Sequence, residues 1–269
     1  MDRKDIRSMT IEELKDLMAE LGEKPFRAKQ LYGWFHEHLA VSYEEMTNLP
    51  KSLREKLAAY PIQALTPVDV QISKLDGTRK YLFRLADGNV IESVLMGYKH
   101  GNSVCISSQA GCRMGCRFCA STIGGLTRNL TASEMLDQIY RIQALSKERV
   151  SNVVVMGTGE PLDNYENLLR FIHILTEEGG LHISQRNLTV STCGIVPKMR
   201  ELAKEKLQIT LALSLHAPND KKRQELMPIA KKYSMDEVLD ACRYYFKETG
   251  RRITFEYSLV RGENDSKED

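Results

Sequence analysis

The spacing of apolar residues changes near residue 60. Before that point apolar side chains recur three and four positions apart, which is typical of amphipathic helices. Thr10 and Glu13 have the spacing of a capping box ahead of the first apolar stripe. A second helix is predicted over residues 25–39, and Ser42 and Pro50 precede two further short helices. The first part of the chain is therefore expected to be helical only.

Across residues 68–96 apolar and polar residues alternate, as they do in a strand with one buried face. Asp76-Gly77 and Asp87-Gly88 interrupt the alternation, and such dipeptides between alternating runs favour tight hairpin turns. This stretch is predicted to be a three-stranded antiparallel meander.

Beyond Ser103 apolar strands alternate with amphipathic helices, which favours parallel strands covered by helices. Strands are predicted near residues 104–107, 152–156, 188–192, 209–214 and 253–259, with helices beginning at Thr131, Asn164, Pro197 and Ser234. A complete barrel of eight such units takes about 250 residues, so this stretch holds about five units. The fold class expected is α/β, with a partial barrel.

Three regions follow from these changes in pattern. Residues 1–62 are predicted to form a small helical accessory domain, residues 63–102 a β meander leading into the barrel, and residues 103–269 the barrel core. The helical region could handle the substrate or simply stabilise its neighbour, and the sequence leaves both interpretations open.

Composition narrows the class of protein only slightly. A net charge of +2 neither demands nor excludes a nucleic-acid partner. Six cysteines in 269 residues are too few for a disulfide scaffold, and their partial clustering favours a reducing, cytoplasmic setting with metal or catalytic use. No apolar run approaches the ~18 residues of a membrane-spanning helix, so no membrane partner is expected.

The densest chemistry is a C-x3-C-x2-C motif made by Cys112, Cys116 and Cys119 in a glycine-containing loop that is expected to precede a helix. Clustered thiolates bind Zn, Cu(I) or an iron–sulfur cluster. A structural zinc site and an ordinary [4Fe–4S] cluster each take four protein ligands. Zinc would need Cys105, His100 or a distant residue as its fourth ligand, whereas three cysteines on a cubane leave one iron open. Three buried core cysteines are a third interpretation, which the irregular spacing disfavours.

With Phe118 just before its last cysteine, the motif resembles the radical-SAM superfamily, in which the open iron binds S-adenosylmethionine (SAM). Further blocks, in the same order along nearly the whole chain, resemble the RlmN/Cfr family of radical-SAM RNA methyltransferases, and its RlmN branch more closely. They are GEKPFRA at 22–28, CISSQAGC at 105–112, CAST at 119–122, GGLTRNL at 124–130, GTGEPLDN at 157–164, STCGIVP at 191–197 and SLHAPND at 214–220.

The resemblance implies a [4Fe–4S] cluster and SAM as cofactors, with an external flavodoxin-like one-electron reductant. The implied substrates are one adenine in the peptidyl-transferase centre of 23S rRNA and the adenine after the anticodon in some tRNAs, each methylated at carbon 2. In the family, SAM methylates a protein cysteine, a radical formed on that methyl group adds to the ring, a base removes the ring proton, and a second thiol releases the product. The target base must be flipped out of its stack to reach such a site.

Carried over residue by residue, the resemblance makes Cys112, Cys116 and Cys119 the cluster ligands. It implies SAM contacts at Gly159, Glu160, Ser191, Ser214, Leu215 and His216. Glu92 takes the position of the proton acceptor, and Cys105 that of the resolving thiol. Without the resemblance, Glu92 reads as a solvated edge-strand glutamate, and Cys105 as a buried strand cysteine or a fourth metal ligand.

The remaining cysteines and basic residues suggest simpler roles. Cys193 reads as a neutral substitution near the SAM pocket, and Cys242 as core packing on a helical stripe. RNA contacts are expected from basic clusters at residues 221–223, 231–232 and 251–252, and from Arg128.

The C-terminal end departs from the family pattern. Residues 263–269 read as the polar start of another helix, and no residue matches the family's methyl-carrying cysteine or its late SAM-binding asparagine. We therefore expect a longer natural protein, and no completed methylation by this chain alone. Three alternatives stay open: a Cfr-like enzyme that methylates carbon 8, a radical-SAM enzyme with a small-molecule substrate, and a zinc-stabilised RNA-binding module without catalysis.

Overall fold

The computed structural model describes residues 5–269, and its first part is helical. Helix α1 spans Ile11–Glu20, α2 spans Phe26–His36 and α3 spans Lys51–Leu57. The capping box expected at Thr10 is formed, because the Thr10 hydroxyl accepts from the Glu13 N–H while the Glu13 carboxylate accepts from the Thr10 N–H. Two of the four N–H groups left unpaired at the helix start are satisfied in this way.

The short helix expected after Ser42 does not form, and residues 41–49 are turns and bends instead. The carboxylate of Glu45 accepts from the backbone N–H groups of Val41 and Ser42, at 3.0 Å and 2.9 Å. A side chain that satisfies these N–H groups locally stabilises a turn in place of a helical ladder.

The meander and the strand that follows it are antiparallel. Strand β1 spans Thr66–Ile72, β2 Arg79–Arg84, β3 Val90–Tyr98 and β4 Gly101–Ile106. Gly77 and Gly88, with φ of 73° and 87°, lie in the two turns that the sequence marks. Glycine reaches these positive φ values without the steric cost that a Cβ atom imposes.

A hairpin absent from the sequence prediction follows β4. Strands β5, Gln109–Gly111, and β6, Leu126–Asn129, pair antiparallel in a separate two-stranded sheet. The chain then alternates helices and strands: α4 Ala132–Ser146, β7 Val150–Val155, α5 Tyr165–Thr176, β8 Leu188–Thr192, α6 Val196–Lys204, β9 Thr210–Ser214, α7 Asp220–Leu226, α8 Met235–Thr249 and β10 Ile253–Glu256.

The described residues form one eight-stranded sheet in the order β1-β2-β3-β4-β7-β8-β9-β10. From β4 to β10 neighbouring strands are parallel, so the partial α/β barrel predicted from the alternation is confirmed. Thr131 and Ser234 form the expected capping boxes of α4 and α8. Helix α7, capped by Asn219, was not predicted from the sequence.

One continuous apolar core joins the first helices to the barrel. Leu31 and Phe35 of α2 belong to the same buried cluster as Leu136 of α4 and Val153 of β7. None of the helices in residues 5–269 combines the length and hydrophobicity that crossing a bilayer requires.

Candidate active site

The loop that carries the three clustered cysteines is closed at its base by the β5–β6 hairpin. Gly111 pairs with Leu126, so residues 112–125 leave and return at the same place. Gly111 has φ of 76°, and a Cβ atom there would overlap the carbonyl oxygen of Gly125. The helix expected directly after the loop is replaced by a short 3-10 turn at residues 120–122 and then β6. Antiparallel pairing satisfies the backbone groups at the loop ends, which a helix start would leave unpaired.

The cysteine loop faces a cavity of about 440 Å³ at the carboxyl ends of the parallel strands. Barrel enzymes place their active sites at this end. Eight of the eleven residues predicted to form the site line this cavity: Cys112, Cys116, Cys119, Gly159, Glu160, Ser191, Ser214 and His216. The other three, Leu215, Glu92 and Cys105, are not among the lining residues.

The three thiols line the same cavity, with Cys112 and Cys116 buried and Cys119 half-buried. Burial, together with the charges of Cys112 and Cys119, raises the pKa of Cys116 to about 12. Such mutual repulsion shows that the sulfur atoms approach one another, and a cationic group among them would relieve it. Over the described part of the chain, no three His, Cys, Asp or Glu side chains converge on a single metal ion. A cubane cluster binds each thiolate through a different iron, so three thiols spaced around a cavity fit it.

Glu160 ties the loop after β7 to the end of β8. Its carboxylate is 3% exposed and accepts from the backbone N–H of Leu162 at 3.0 Å and of Cys193 at 2.8 Å. Burial raises the pKa of Glu160, and these hydrogen bonds oppose that rise. Next to it, Gly159 has φ of 108°, and a Cβ atom there would lie 2.6 Å from the Cβ of Gln109.

Gln109 connects the cysteine hairpin to the same loop. The side chain is fully buried, and its Oε1 accepts from the Glu160 N–H at 2.8 Å while its Nε2 donates to Asp163 at 3.1 Å. Arg113 in the cysteine loop also pairs with Asp163. The sequence analysis missed Gln109, although its position two residues before the motif's glycine was a usable signal.

Ser191 and Ser214 end neighbouring strands and meet a carboxylate from the third. The Ser191 and Ser214 hydroxyls donate to Oε2 of Glu256 at 2.9 Å and 3.1 Å. Glu256 also lines the cavity. The sequence analysis missed it because the last strand was expected to run to Leu259, whereas β10 ends at Glu256. Polar residues at the carboxyl ends of barrel strands were the available signal.

His216 is held in a left-handed conformation with φ of 57°. Its Nδ1 accepts from the Ser258 N–H at 3.0 Å, and burial lowers the pKa of the imidazole, which keeps it neutral. The ring of Phe118, from the cysteine loop, lies edge-on to His216 with centroids 5.0 Å apart.

Glu92 and Cys105 are diagonal neighbours on one face of the sheet. Cys105 on β4 is paired with Val94 on β3, and Glu92 lies two residues from Val94 on the same face. Glu92 is exposed, and its backbone carbonyl accepts from the Ser107 hydroxyl at 2.7 Å. Burial, with a smaller contribution from the Glu256 carboxylate, raises the pKa of the Cys105 thiol to about 11. Met156, whose backbone N–H approaches Cys105, lines the cavity, so the thiol lies just outside its wall.

Several basic residues expected to contact RNA have other partners. Arg223 is wrongly predicted, because its side chain is fully buried and donates to the carbonyl oxygens of Cys193, Ser214 and Leu215. Arg128 is engaged by the carboxylates of Asp87 and Glu134, and Lys222 bonds Asp269 at 2.7 Å. A buried guanidinium requires such acceptors, since desolvation would otherwise be too costly.

The two remaining cysteines have different surroundings. Cys242 is 4% exposed on α8 and belongs to the main apolar core, in agreement with the sequence analysis. Cys193 is 7% exposed and packs with Cys116 and Met227 in a separate small cluster. Burial raises the pKa of Cys193 well above its usual value. Its backbone N–H donates to the Glu160 carboxylate at 2.8 Å.

A partial α/β barrel with three clustered cysteines beside a cavity at its strand ends defines a radical-SAM enzyme. The family model of the radical SAM superfamily matches residues 106–269, and that of the ribosomal RNA large subunit methyltransferase N-terminal domain matches residues 4–61. The chain belongs to the RlmN family of radical-SAM RNA methyltransferases. Its cofactors are therefore SAM and a [4Fe–4S] cluster.

Named relatives and a solved structure agree with this membership. A probable dual-specificity RNA methyltransferase RlmN from Lachnospira eligens is 67% identical, over 98% of this chain and 76% of the relative. One of the same description from Lachnoclostridium phytofermentans is 63% identical, over 97% and 74%. The crystal structure of a radical SAM methyltransferase from Sphaerobacter thermophilus superposes with a TM-score of 0.92 at 47% identity, covering 97% of this chain and 78% of the other. The chain thus spans about three quarters of the length of these relatives.

Proposed function

We propose that this enzyme methylates carbon 2 of one adenine in 23S rRNA and of the adenine after the anticodon in tRNA. The names of relatives at 51–67% identity, each a probable dual-specificity RNA methyltransferase RlmN, support this proposal. The proposal includes a flavodoxin-like protein as the electron donor and a cytoplasmic location, where both RNA substrates are used.

The cavity residues have distinct proposed roles. Cys112, Cys116 and Cys119 hold the cluster, and Glu160 with Gly159 accommodates the methionine end of SAM. Ser191, Ser214, Leu215 and His216 contact the rest of the molecule. When bound, the cluster and SAM supply an adenosyl radical. The loops around the cavity limit the access of water, which would otherwise compete for such a reactive species.

Glu92 and Cys105 act on the RNA base in this proposal. The observation that carries it is their diagonal arrangement on one sheet face, with Cys105 just outside the cavity wall. A base held at the mouth could then give its ring proton to the Glu92 carboxylate, whose exposure lets the proton pass on to water. The Cys105 thiol, protonated at neutral pH because of its raised pKa, is kept from reacting prematurely.

The metal site is tested first on the chain reconstituted anaerobically with iron and sulfide. We expect about four irons per chain and release of 5′-deoxyadenosine from SAM after reduction with dithionite. Cys119→Ala should lose both properties, whereas the core variant Cys242→Ala should retain them. Stoichiometric zinc without iron would instead indicate a zinc-stabilised module and contradict the proposal.

Because the chain spans about three quarters of its relatives' length, regiochemistry is tested on a chimera in which it is followed by the C-terminal quarter of the Lachnospira eligens relative. Mass spectrometry of nucleosides from treated 23S rRNA and tRNA should show 2-methyladenosine. Appearance of 8-methyladenosine would support a Cfr-like reaction in its place.

The role of Cys105 is tested in the same chimera. Cys105→Ala should keep its iron and still cleave SAM, yet accumulate RNA that remains attached to the protein. Loss of iron in this variant would identify Cys105 as a metal ligand and refute its assignment as the resolving thiol.

A further inference from the structure

One residue of the edge strand β10 makes hydrogen bonds with every SAM contact proposed on β8 and β9. The Glu256 carboxylate accepts from the Ser191 and Ser214 hydroxyls. Its backbone carbonyl accepts from the N–H groups of Leu215 at 3.0 Å and His216 at 3.2 Å. Four bonds from a single residue therefore fix the geometry of this side of the cavity.

The hydrogen bonds from the two serine hydroxyls also determine whether these serines can donate to a ligand or only accept from it. Each serine hydroxyl has one proton, and both protons are directed at Oε2 of Glu256. The two Oγ atoms lie 3.3 Å apart and have no further proton for each other. Toward the cavity, Ser191 and Ser214 can then act only as acceptors, so they select a ligand group that donates N–H or O–H.

Glu256 differs in its hydrogen-bond partners from Glu160, the other carboxylate that lines the cavity. Both oxygens of Glu160 accept backbone N–H groups, from Leu162 and Cys193. For Glu256, the side-chain hydrogen bonds found within residues 5–269 come from the two serine hydroxyls, and both reach Oε2 of the carboxylate. The neighbouring His216 is neutral because burial lowers its pKa, so the carboxylate is not neutralised by the imidazole.

We propose that Glu256 is a positioning residue for SAM, whose carboxylate orients the Ser191 and Ser214 hydroxyls as acceptors for the ribose hydroxyl groups. This inference rests on the proposed function in taking the two serines as SAM contacts. In Glu256→Gln the amide NH2 group can face the serines, whose protons would then turn toward the cavity and meet the ligand's own donors.

The test is SAM affinity, measured by equilibrium dialysis on reconstituted protein with iron content determined on the same samples. Glu256→Gln should retain iron and bind SAM about tenfold or more weakly, the usual effect of losing a hydrogen bond to a charged group. Glu248→Gln, the same change at an exposed position on α8, should bind SAM as the unmodified chain does. If Glu256→Gln loses iron, Glu256→Asp replaces it, because its carboxylate falls one methylene short of the serines and should weaken SAM binding equally.

A double-mutant cycle separates positioning from a merely structural role. Because Glu256 acts through Ser191 and Ser214, Glu256→Gln combined with Ser191→Ala and Ser214→Ala should lose little more affinity than the paired serine changes alone. The inference fails if Glu256→Gln binds SAM within twofold of the unmodified chain, or if the two losses are fully additive. Failure of the proposed function looks different, since the unmodified chain itself would then not bind SAM.

Discussion

Replacing Asp137 with asparagine removes the anionic partner of a buried arginine that joins the N-terminal region to the barrel. Oδ1 of Asp137 lies 2.7 Å from Nη2 of Arg7, and both side chains are 1% exposed. Oδ2 accepts from the N–H of Leu65 at 2.6 Å, in the segment that leads into β1. Arg141, on the same helix, approaches the same carboxylate at 3.4 Å. A single side chain of α4 therefore binds both Arg7, near the start of the chain, and Leu65, in the connection to the sheet.

The expected loss of stability is large because Arg7 has no route to solvent. Removing one partner of a buried ion pair costs about 3–5 kcal/mol, since the remaining charge stays desolvated. For a chain of this size each kcal/mol lowers the unfolding temperature by about 2–4 °C, so Asp137→Asn should unfold about 6–20 °C lower. Replacing the arginine as well, in Arg7→Met/Asp137→Asn, should recover part of this loss because no unpaired charge is left.

Urea and thermal unfolding followed by circular dichroism measure the effect directly. The matched control is Asp240→Asn, which breaks a pair between Asp240 and Arg200 in which the two side chains are 61% and 39% exposed. That change should cost less than about 1 kcal/mol, because exposed ion pairs contribute little. If Asp137→Asn is no more destabilising than the control, the idea that a buried pair joins the two regions is wrong.

Two further predictions concern acid stability and the cysteine loop. Burial lowers the pKa of His36 from its ordinary value of 6.5 to about 3, so below pH 6.5 the unfolded chain binds a proton that the folded chain does not. The free energy of unfolding should fall by up to about 1.4 kcal/mol per pH unit on this account. In urea titrations at a series of pH values, the free energy of unfolding of His36→Gln should fall less steeply with acidification than that of the unmodified chain. An identical pH dependence would contradict the attribution of this loss to His36. Gly111→Ala should prevent iron binding, because its Cβ atom would overlap the carbonyl oxygen of Gly125 at the base of the cysteine loop. Gly250→Ala is the control, since Gly250 also has a positive φ, of 66°, but open space around it, and this variant should bind iron. Equal iron contents in the two variants would refute the steric explanation.

The sequence predicted those features that depend on near neighbours along the chain. The capping boxes at Thr10, Thr131 and Ser234 formed as expected, because each joins residues three apart. Capping by Asn219 and the short helix after it were overlooked, although the same rule applies there. The helix expected after Ser42 failed because Glu45 satisfies the local N–H groups instead.

Only some residues of the candidate site could be predicted from the sequence. The cysteine motif and the strand-end residues were found because spacing and strand position indicate them. Gln109 and Glu256 were missed because their partners, Glu160 and Ser191, lie far along the chain. Arg223 was misjudged because it belongs to a run of basic residues, and the sequence does not show that its side chain turns inward.

The turn between β3 and β4 contains only Lys99 and His100, since Tyr98 is already paired with Gly101. Side chains alternate between faces along a strand, so one residue added to or removed from this turn and absorbed by sliding β3 would rotate Glu92 toward α4. The residue types in this turn can therefore vary among homologues, whereas its length should stay constant. In the proposed function, the alignment of Glu92 with Cys105 therefore depends on the number of residues in this turn, and insertions here should be the rarest changes among active homologues.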